Sequence, residues 1–227
     1  MPVQLTFDLP AKSAQEREDF FVSAANTVAV ETLENWRSWP GQKMALIGAE
    51  GSGKTHLTHV WAKEAGAHIL RACELGDIDI NTSAKNHVAV EDVCQIAGNS
   101  DAEQILFHLH NLVLANGHSL LLTAQTAPAK WTLSLPDLES RMQGTPVVTL
   151  EEPDDALLCA VMIKLFSDRQ IDVPPNLLPY LLRRMDRSFS SAKEIVDTLD
   201  KAALSRGCAV SRALAASVLD NDTRNSA

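Results

Sequence analysis

Five short, mostly apolar runs alternate with amphipathic stretches as far as Leu150: residues 44–47, 67–71, 87–92, 119–123 and 146–150. Apolar runs of this length, fenced by glycine, proline or polar residues, predict strands buried on both faces, as in a parallel sheet. Between them the spacing predicts helices. Residues 28–39 place Val28, Thr32, Leu33 and Trp36 at helical intervals and stop at Pro40-Gly41. Residues 56–63 turn Leu57, Val60 and Trp61 inward, and residues 135–142 form a short helix. Residues 100–116 carry a stripe of Ile105, Leu106, Leu109, Leu112 and Val113. There Ser100 and Glu103 read as a capping box and Gly117 as a stop. Residues 73–85 read as irregular.

Beyond Glu151 no strand signal remains. Helices are expected over 154–169, from Pro174-Pro175 onward through Leu177, Leu178, Leu181 and Leu182, and over 188–206 and 211–219. The fold class is therefore α/β: a parallel sheet with flanking helices, followed by a small C-terminal helical domain. The segments expected are 1–19, 20–151 and 152–227. In the first, Leu5, Phe7 and Leu9 alternate between Pro2 and Pro10. Such a stretch is either an edge strand or an extended peptide offered to a partner.

Composition narrows the function classes. A net charge of −9 in 227 residues argues against a chain that grips duplex DNA by itself. The segment 183–212 is mildly basic, with seven Lys/Arg against four Asp/Glu. Cys73, Cys94, Cys159 and Cys208 form no CxxC pair and are expected as reduced, mostly buried thiols of a cytoplasmic protein. No run reaches the length of a membrane span, and the start lacks the pattern of a signal peptide.

The strongest chemical signal is Gly48-Ala49-Glu50-Gly51-Ser52-Gly53-Lys54-Thr55, set between the first strand and the helix that follows. Strand, glycine-rich turn and helix are the context of a phosphate-binding loop. Glycines let the backbone wrap around phosphate oxygens, and N–H groups at the helix start face the negative charge. Lys54 would reach the β- and γ-phosphates, and the Thr55 hydroxyl would ligate Mg²⁺. A nucleoside di- or triphosphate is expected here. The third strand closes on Glu91 and Asp92, which in such a fold stand beside the phosphates and their metal; outside it they would be surface carboxylates. The fourth ends on Thr123, placed to hold an attacking water or touch the γ-phosphate, or simply to begin a loop. His108 and His110 face different directions, and His56 and His59 have no third ligand, so no histidine metal site is expected.

Together these pieces resemble the AAA+ ATPases, and within them the family of the bacterial replication initiator DnaA, including its short Hda-type members. Phe20-Phe21-Val22 with Asn26 is similar to the family's segment that lies against adenine, although Ala24 replaces a glycine. Leu135-Pro136-Asp137-Leu138-Glu139-Ser140-Arg141 is similar to the stretch that carries the family's arginine finger. Gln4-Leu5-Thr6-Phe7-Asp8-Leu9 resembles the hexapeptide by which Hda-type members dock on the DNA polymerase III β sliding clamp. The resemblance implies an AAA+ sheet with a helical lid, and ADP or ATP with Mg²⁺ as cofactors. Phe21, Val22, Asn26, Gly48, Glu50, Gly51, Ser52, Gly53, Lys54, Thr55, His56 and Lys193 would hold the nucleotide. Thr55 and Glu91 would hold the metal; Asp92, Thr123 and Arg141 would be catalytic; Gln4, Leu5, Phe7 and Leu9 would bind the clamp.

The implied activity is stimulation of ATP hydrolysis by DnaA through Arg141 in trans. The expected partners are the clamp, DnaA and a second copy of the chain. The family's helix-turn-helix domain has no room before Ala227, so no direct sequence-specific DNA binding is expected, and no membrane. Besides Ala24, three positions depart from the family pattern. Glu91 and Asp92 invert its acids, and the lid's sensor arginine falls on Ser190, with Arg187 and Lys193 nearby. A lysine meets phosphate only as a point charge. A weak own ATPase and a nucleotide used as a structural switch are therefore expected. The alternatives are a P-loop small-molecule kinase, a loader acting on DNA, or an adaptor with a vestigial nucleotide site.

Overall fold

The five apolar runs form one parallel sheet: β1 (Lys43–Ile47), β2 (His68–Arg71), β3 (Val88–Glu91), β4 (Leu120–Ala124) and β5 (Val147–Thr149). Their spatial order is β2-β3-β4-β1-β5. The computed structural model describes residues 21–225. Register aligns Lys43 with Leu120 and Ile47 with Ala124, while Val90 pairs with Leu122. The carboxyl ends of β1, β4 and β3 therefore lie side by side, with β4 between the loop strand and the acidic strand.

The helices are α1 (Thr27–Glu34), α2 (Lys54–Ala65), α3 (Ile80–Ser83), α4 (Ser100–Ala115), α5 (Pro136–Gln143), α6 (Asp155–Asp168), α7 (Leu178–Leu182), α8 (Phe189–Arg206) and α9 (Arg212–Asn225). Successive strand residues face opposite layers. Val88, Val90, Leu120 and Leu122 pack on Leu106, Leu109, Leu138 and Met142 from α4 and α5. Leu46, Ala89 and Leu121 join Leu33, Trp36, Leu57 and Trp61 on the other side. Both faces are covered, which is why the strands read as continuous apolar runs. A third core, including Leu158, Phe166, Leu181, Val196 and Leu199, lies wholly within the helices after β5.

Several local expectations are corrected. The first helix ends at Glu34, and Trp36–Ser38 is a separate 3₁₀ turn. Trp36 is buried as expected, but Val28 is 67% exposed, and Ala29, Val30 and Leu33 form the inner face. Leu112 likewise points outward from α4. The irregular stretch contains a 3₁₀ segment, Ala72–Asp77, and the short α3. The helix expected from Pro174-Pro175 begins only at Leu178, and α9 runs on to Asn225. All four cysteines are free, yet none is buried: Cys73 and Cys208 are exposed, and Cys94 and Cys159 half-exposed. The capping box is absent. Asn99 caps α4 by accepting from the Ala102 N–H, and Glu103 serves a different purpose described below.

Candidate nucleotide site

Gly48 follows β1 and Lys54 opens α2, so the intervening loop must reverse within a few residues. Gly51 and Gly53 adopt φ of 70° and 100°, a region that side chains disfavour. A Cβ on Gly48 would lie 2.6 Å from the Leu150 carbonyl oxygen, and one on Gly53 2.9 Å from the Phe189 ring. Lys54 is buried, and its ammonium donates to the carbonyls of Gly48 (2.9 Å) and Ala49 (2.8 Å). Burial lowers its pKa, against the attraction of Asp92, Glu50, Cys94 and Glu91. Thr55 stands exposed in the first turn of α2. Two buried atoms, Ser52 Oγ and Glu91 Oε1, have no hydrogen-bond partner among the described residues. Buried polar groups are normally paired. A loop of backbone amides with an orphan hydroxyl fits phosphate oxygens, and an orphan carboxylate oxygen beside Thr55's helix suits a hard cation.

Between these groups runs β4. The Asp92 N–H donates to Thr123 Oγ1 at 3.1 Å, and Asp92 itself takes the left-handed conformation (φ 57°). Thr123 is buried, so its hydroxyl fixes the turn that carries the acid. That is a positioning contact, in addition to whatever its proton can offer a ligand.

A cavity of about 270 Å³ adjoins the loop, walled by Phe21, Gly53, His56, Leu157, Val161 and Phe189, with Lys164 and Asp168 also lining it. Its walls are largely apolar, as an aromatic base requires. Burial, and secondly His59, lower the His56 pKa. Of the three residues expected against adenine, only Phe21 lines this cavity. Val22 is exposed, and the Asn26 side chain binds the backbone: Nδ2 donates to the Phe21 carbonyl and Oδ1 accepts from the Ser23 N–H, each at 2.8 Å. Asn26 thus shapes the segment that presents Phe21.

A second, open cavity of about 660 Å³ is lined by Ala49, Glu50, Ser52, Arg187, Ser188 and Ser190, among others. Here the helical segment docks on the loop: the Phe189 N–H donates to the Gly51 carbonyl at 2.9 Å. Ser188 caps α8 by accepting from the Ser191 N–H. Arg187 forms an exposed pair with Asp155 at 2.8 Å, an interaction of small worth. Lys193 lies exposed on α8 and lines neither cavity. Phe189, which follows the cap, was missed by the pattern; it touches both Gly53 and the base-sized cavity.

Arg141 is exposed in the last turn of α5. Among the described residues no ion pair joins it to Asp137 or Glu139, and Glu139 instead accepts from Gln143 Nε2 at 3.0 Å. The Arg141 carbonyl accepts from Lys43 Nζ (2.8 Å) and Thr145 Oγ1 (3.0 Å). Lys43 opens β1, whereas the glycine loop leaves its far end, about 16 Å further along at about 3.3 Å per residue. The main chain of Arg141 is thus anchored at the amino-terminal end of β1, opposite the end from which its own glycine loop leaves. Gln4, Leu5, Phe7 and Leu9 lie outside the described residues.

No protein-family model matches the chain. An uncharacterised protein of Haemophilus influenzae is 28% identical over 169 residues, 70% of this chain and 73% of its own length. Domain III of the Thermotoga maritima replication initiation protein DnaA superimposes with a TM-score of 0.74 at 19% identity, covering 90% of this chain and 95% of that one. DnaA of Aquifex aeolicus, solved with AMPPCP, gives 0.66 at 20% identity over 81% and 64%. RuvB of Thermotoga maritima, a Holliday junction branch migration motor, gives 0.67 at 15% over 86% and 68%. The fold is that of an AAA+ P-loop domain, similar to DnaA domain III.

Proposed function

We propose that this protein is a nucleotide-dependent regulator of chromosome replication initiation. It docks on the DNA polymerase III β sliding clamp through Gln4, Leu5, Phe7 and Leu9, and it supplies Arg141 in trans to ATP-loaded DnaA. The observation that carries this reading is Arg141 itself. It is an exposed arginine without a carboxylate partner among the described residues, on a helix whose main chain is held at the amino-terminal end of β1, remote from its own loop. Such a residue serves a neighbour better than its own site. A second copy of the chain is the competing recipient, and the charge of −9 disfavours DNA held directly.

ADP or ATP would bind with its base in the cavity walled by Phe21 and Phe189. Gly48, Glu50, Gly51, Ser52, Gly53 and Lys54 would hold the phosphates, with His56 at the base. Lys54 exchanges its two carbonyl acceptors for phosphate oxygens, and the Ser52 hydroxyl gains the partner it lacks. Thr55 and Glu91 would hold Mg²⁺, whose charge neutralises that developing on the phosphates. Asp92 is one carbon shorter than a glutamate, and Thr123 fixes its backbone rather than bringing it forward. In-line attack needs reacting atoms within about 3–3.5 Å, so own turnover is slow and the nucleotide serves as a switch. Ser190 stands against the loop without a cationic group, and Lys193 reaches the phosphates only if α8 turns. Residues 152–227 then act as a lid over 20–151, and the setting is cytoplasmic.

The test is phosphate release from ATP-loaded DnaA with clamp on DNA, with and without this protein and ADP. Stimulation on the order of 10³-fold is within the range of trans arginines. Arg141→Ala should abolish it while keeping ADP and clamp binding; equal stimulation by the variant removes the role. Changing Leu5 and Phe7 to Ala should abolish clamp association and leave ADP affinity intact, and unchanged clamp affinity returns the hexapeptide to an edge strand.

A further inference from the structure

We propose that Glu103, with Lys43 at the other end, is a positioning residue for the trans-acting arginine: together they hold both ends of α5 and thereby aim Arg141. The inference rests on the reading of Arg141 given above. Glu103 has no exposed surface. Its Oε1 accepts from the N–H groups of Gly98 (2.9 Å) and Ser134 (3.1 Å), and its Oε2 from those of Ser134 (2.8 Å) and Leu135 (2.7 Å). Ser134 and Leu135 are the two residues immediately ahead of α5. Leu135 occupies the cap position and has no side-chain oxygen to offer the helix. A carboxylate from another helix takes over the fixing of that end, and its negative charge favours a helix N-terminus.

At the C-terminal end Lys43 Nζ donates to the carbonyl of Arg141 itself and lies 3.5 Å from His110 Nε2. His110 is buried, with Nδ1 3.1 Å from Asn111 Oδ1. Leu138 and Met142 fill the core between the two clamps. Arg141 stands fewer than two turns beyond Leu135, so any displacement of the helix start carries over to it. A buried carboxylate needs several donors to be tolerated; here Gly98, just ahead of α4, supplies one, and Ser134 and Leu135, which lead into the arginine helix, supply the others. A misplacement of about 1 Å in a catalytic arrangement can cost on the order of 100-fold in rate.

The experiment uses the full chain with Glu103→Gln, Glu103→Asp, Lys43→Met and Arg141→Ala, each assayed for phosphate release from ATP-loaded DnaA on clamp-bound DNA. Amide hydrogen exchange at Ser134 and Leu135 is followed in parallel. Glu103→Gln should lower the maximal stimulated rate at least tenfold without changing the concentration for half-maximal effect or ADP affinity. It should also speed exchange at both amides, and Glu103→Asp should recover part of the rate. Full maximal stimulation by Glu103→Gln, while Arg141→Ala abolishes it, overturns the positioning role and leaves the function standing. Full stimulation by Arg141→Ala overturns the function itself. Should Glu103→Gln fail to fold, Lys43→Met decides: a severalfold lower maximal rate is expected, and an unchanged one overturns the two-ended clamp.

Discussion

Two buried glutamates, in the two regions this fold holds apart, have opposite surroundings. Glu91 closes β3 beside the glycine loop, and its Oε1 finds no hydrogen-bond partner among the described residues. Glu103 on α4 accepts from three backbone N–H groups, that of Gly98 ahead of its own helix and those of Ser134 and Leu135 ahead of the arginine helix. The glycine loop repeats the first pattern, with Ser52 Oγ orphaned and Lys54 folded onto its own carbonyls. The arginine helix repeats the second, with Lys43 and Thr145 both on the Arg141 carbonyl. A region that must receive a ligand keeps its polar atoms in reserve, whereas a region that must present a side chain ties them down. The first arrangement lowers stability until a ligand arrives; the second raises it and removes motion.

Stability measurements sharpen that contrast most directly. Glu103→Leu leaves three backbone donors without an acceptor, and an unmet buried donor costs about 1–3 kcal/mol. A loss of about 3 kcal/mol or more is expected in denaturant unfolding, together with lost protection of the Leu135 amide. A loss below about 1 kcal/mol would mean that water or neighbouring oxygens satisfy the donors as well as the carboxylate does. The same replacement at Glu91 should move stability the other way. Leucine removes the orphan oxygen at similar volume, at the loss of a weak attraction toward Lys54. A gain of about 1 kcal/mol without nucleotide is expected, coupled to loss of the Mg²⁺ dependence of ATP binding. If Glu91→Leu destabilises as much as Glu103→Leu, both glutamates are structural and the contrast collapses.

What the sequence made legible follows the same division. The glycine loop, the acids at the end of β3 and Thr123 near the end of β4 could be singled out because each signal is contiguous and sits at a strand end, where chain order alone implies convergence. Arg141 was singled out only through family resemblance, since one arginine on a short helix carries no local signature. Glu103 was misread for a physical reason. Its spacing from Ser100 imitates a capping box, while two of its donors, the amides of Ser134 and Leu135, come from 31 and 32 residues away. Only burial of the side chain reveals that it looks across to another helix. Asn26 was placed against the base because the motif names it, whereas its amide is engaged by Phe21 and Ser23. Val28 matched the helical period yet lies on the outer face; periodicity fixes a stripe only once the neighbouring strands have chosen a side.

The smallest effect expected is on pH dependence, and it probes the rear of the arginine helix. His110 is buried against Lys43, Asn111 and the neighbouring Arg141; burial holds its pKa below the ordinary value of 6.5 against the opposing hydrogen bond with Asn111, and Lys43 and Arg141 add to the depression. His56 and His87 are lowered in the same sense, chiefly by burial. A histidine whose folded pKa is depressed binds more protons unfolded than folded at intermediate pH, so stability rises with pH there. The stability these three residues confer is complete above about 6.5. It declines as pH falls from there toward the folded pKa values. Protonating His110 would also set a second cation 3.5 Å from Lys43 Nζ and loosen the contact on the Arg141 carbonyl. The melting temperature should therefore be lower at about pH 5.5 than at about pH 7.5. His110→Gln, which keeps an acceptor for Lys43 without titrating, should flatten part of that decline. A variant profile parallel to the parent's would mean that His110 does not titrate in this range, leaving the acid sensitivity to His56 and His87.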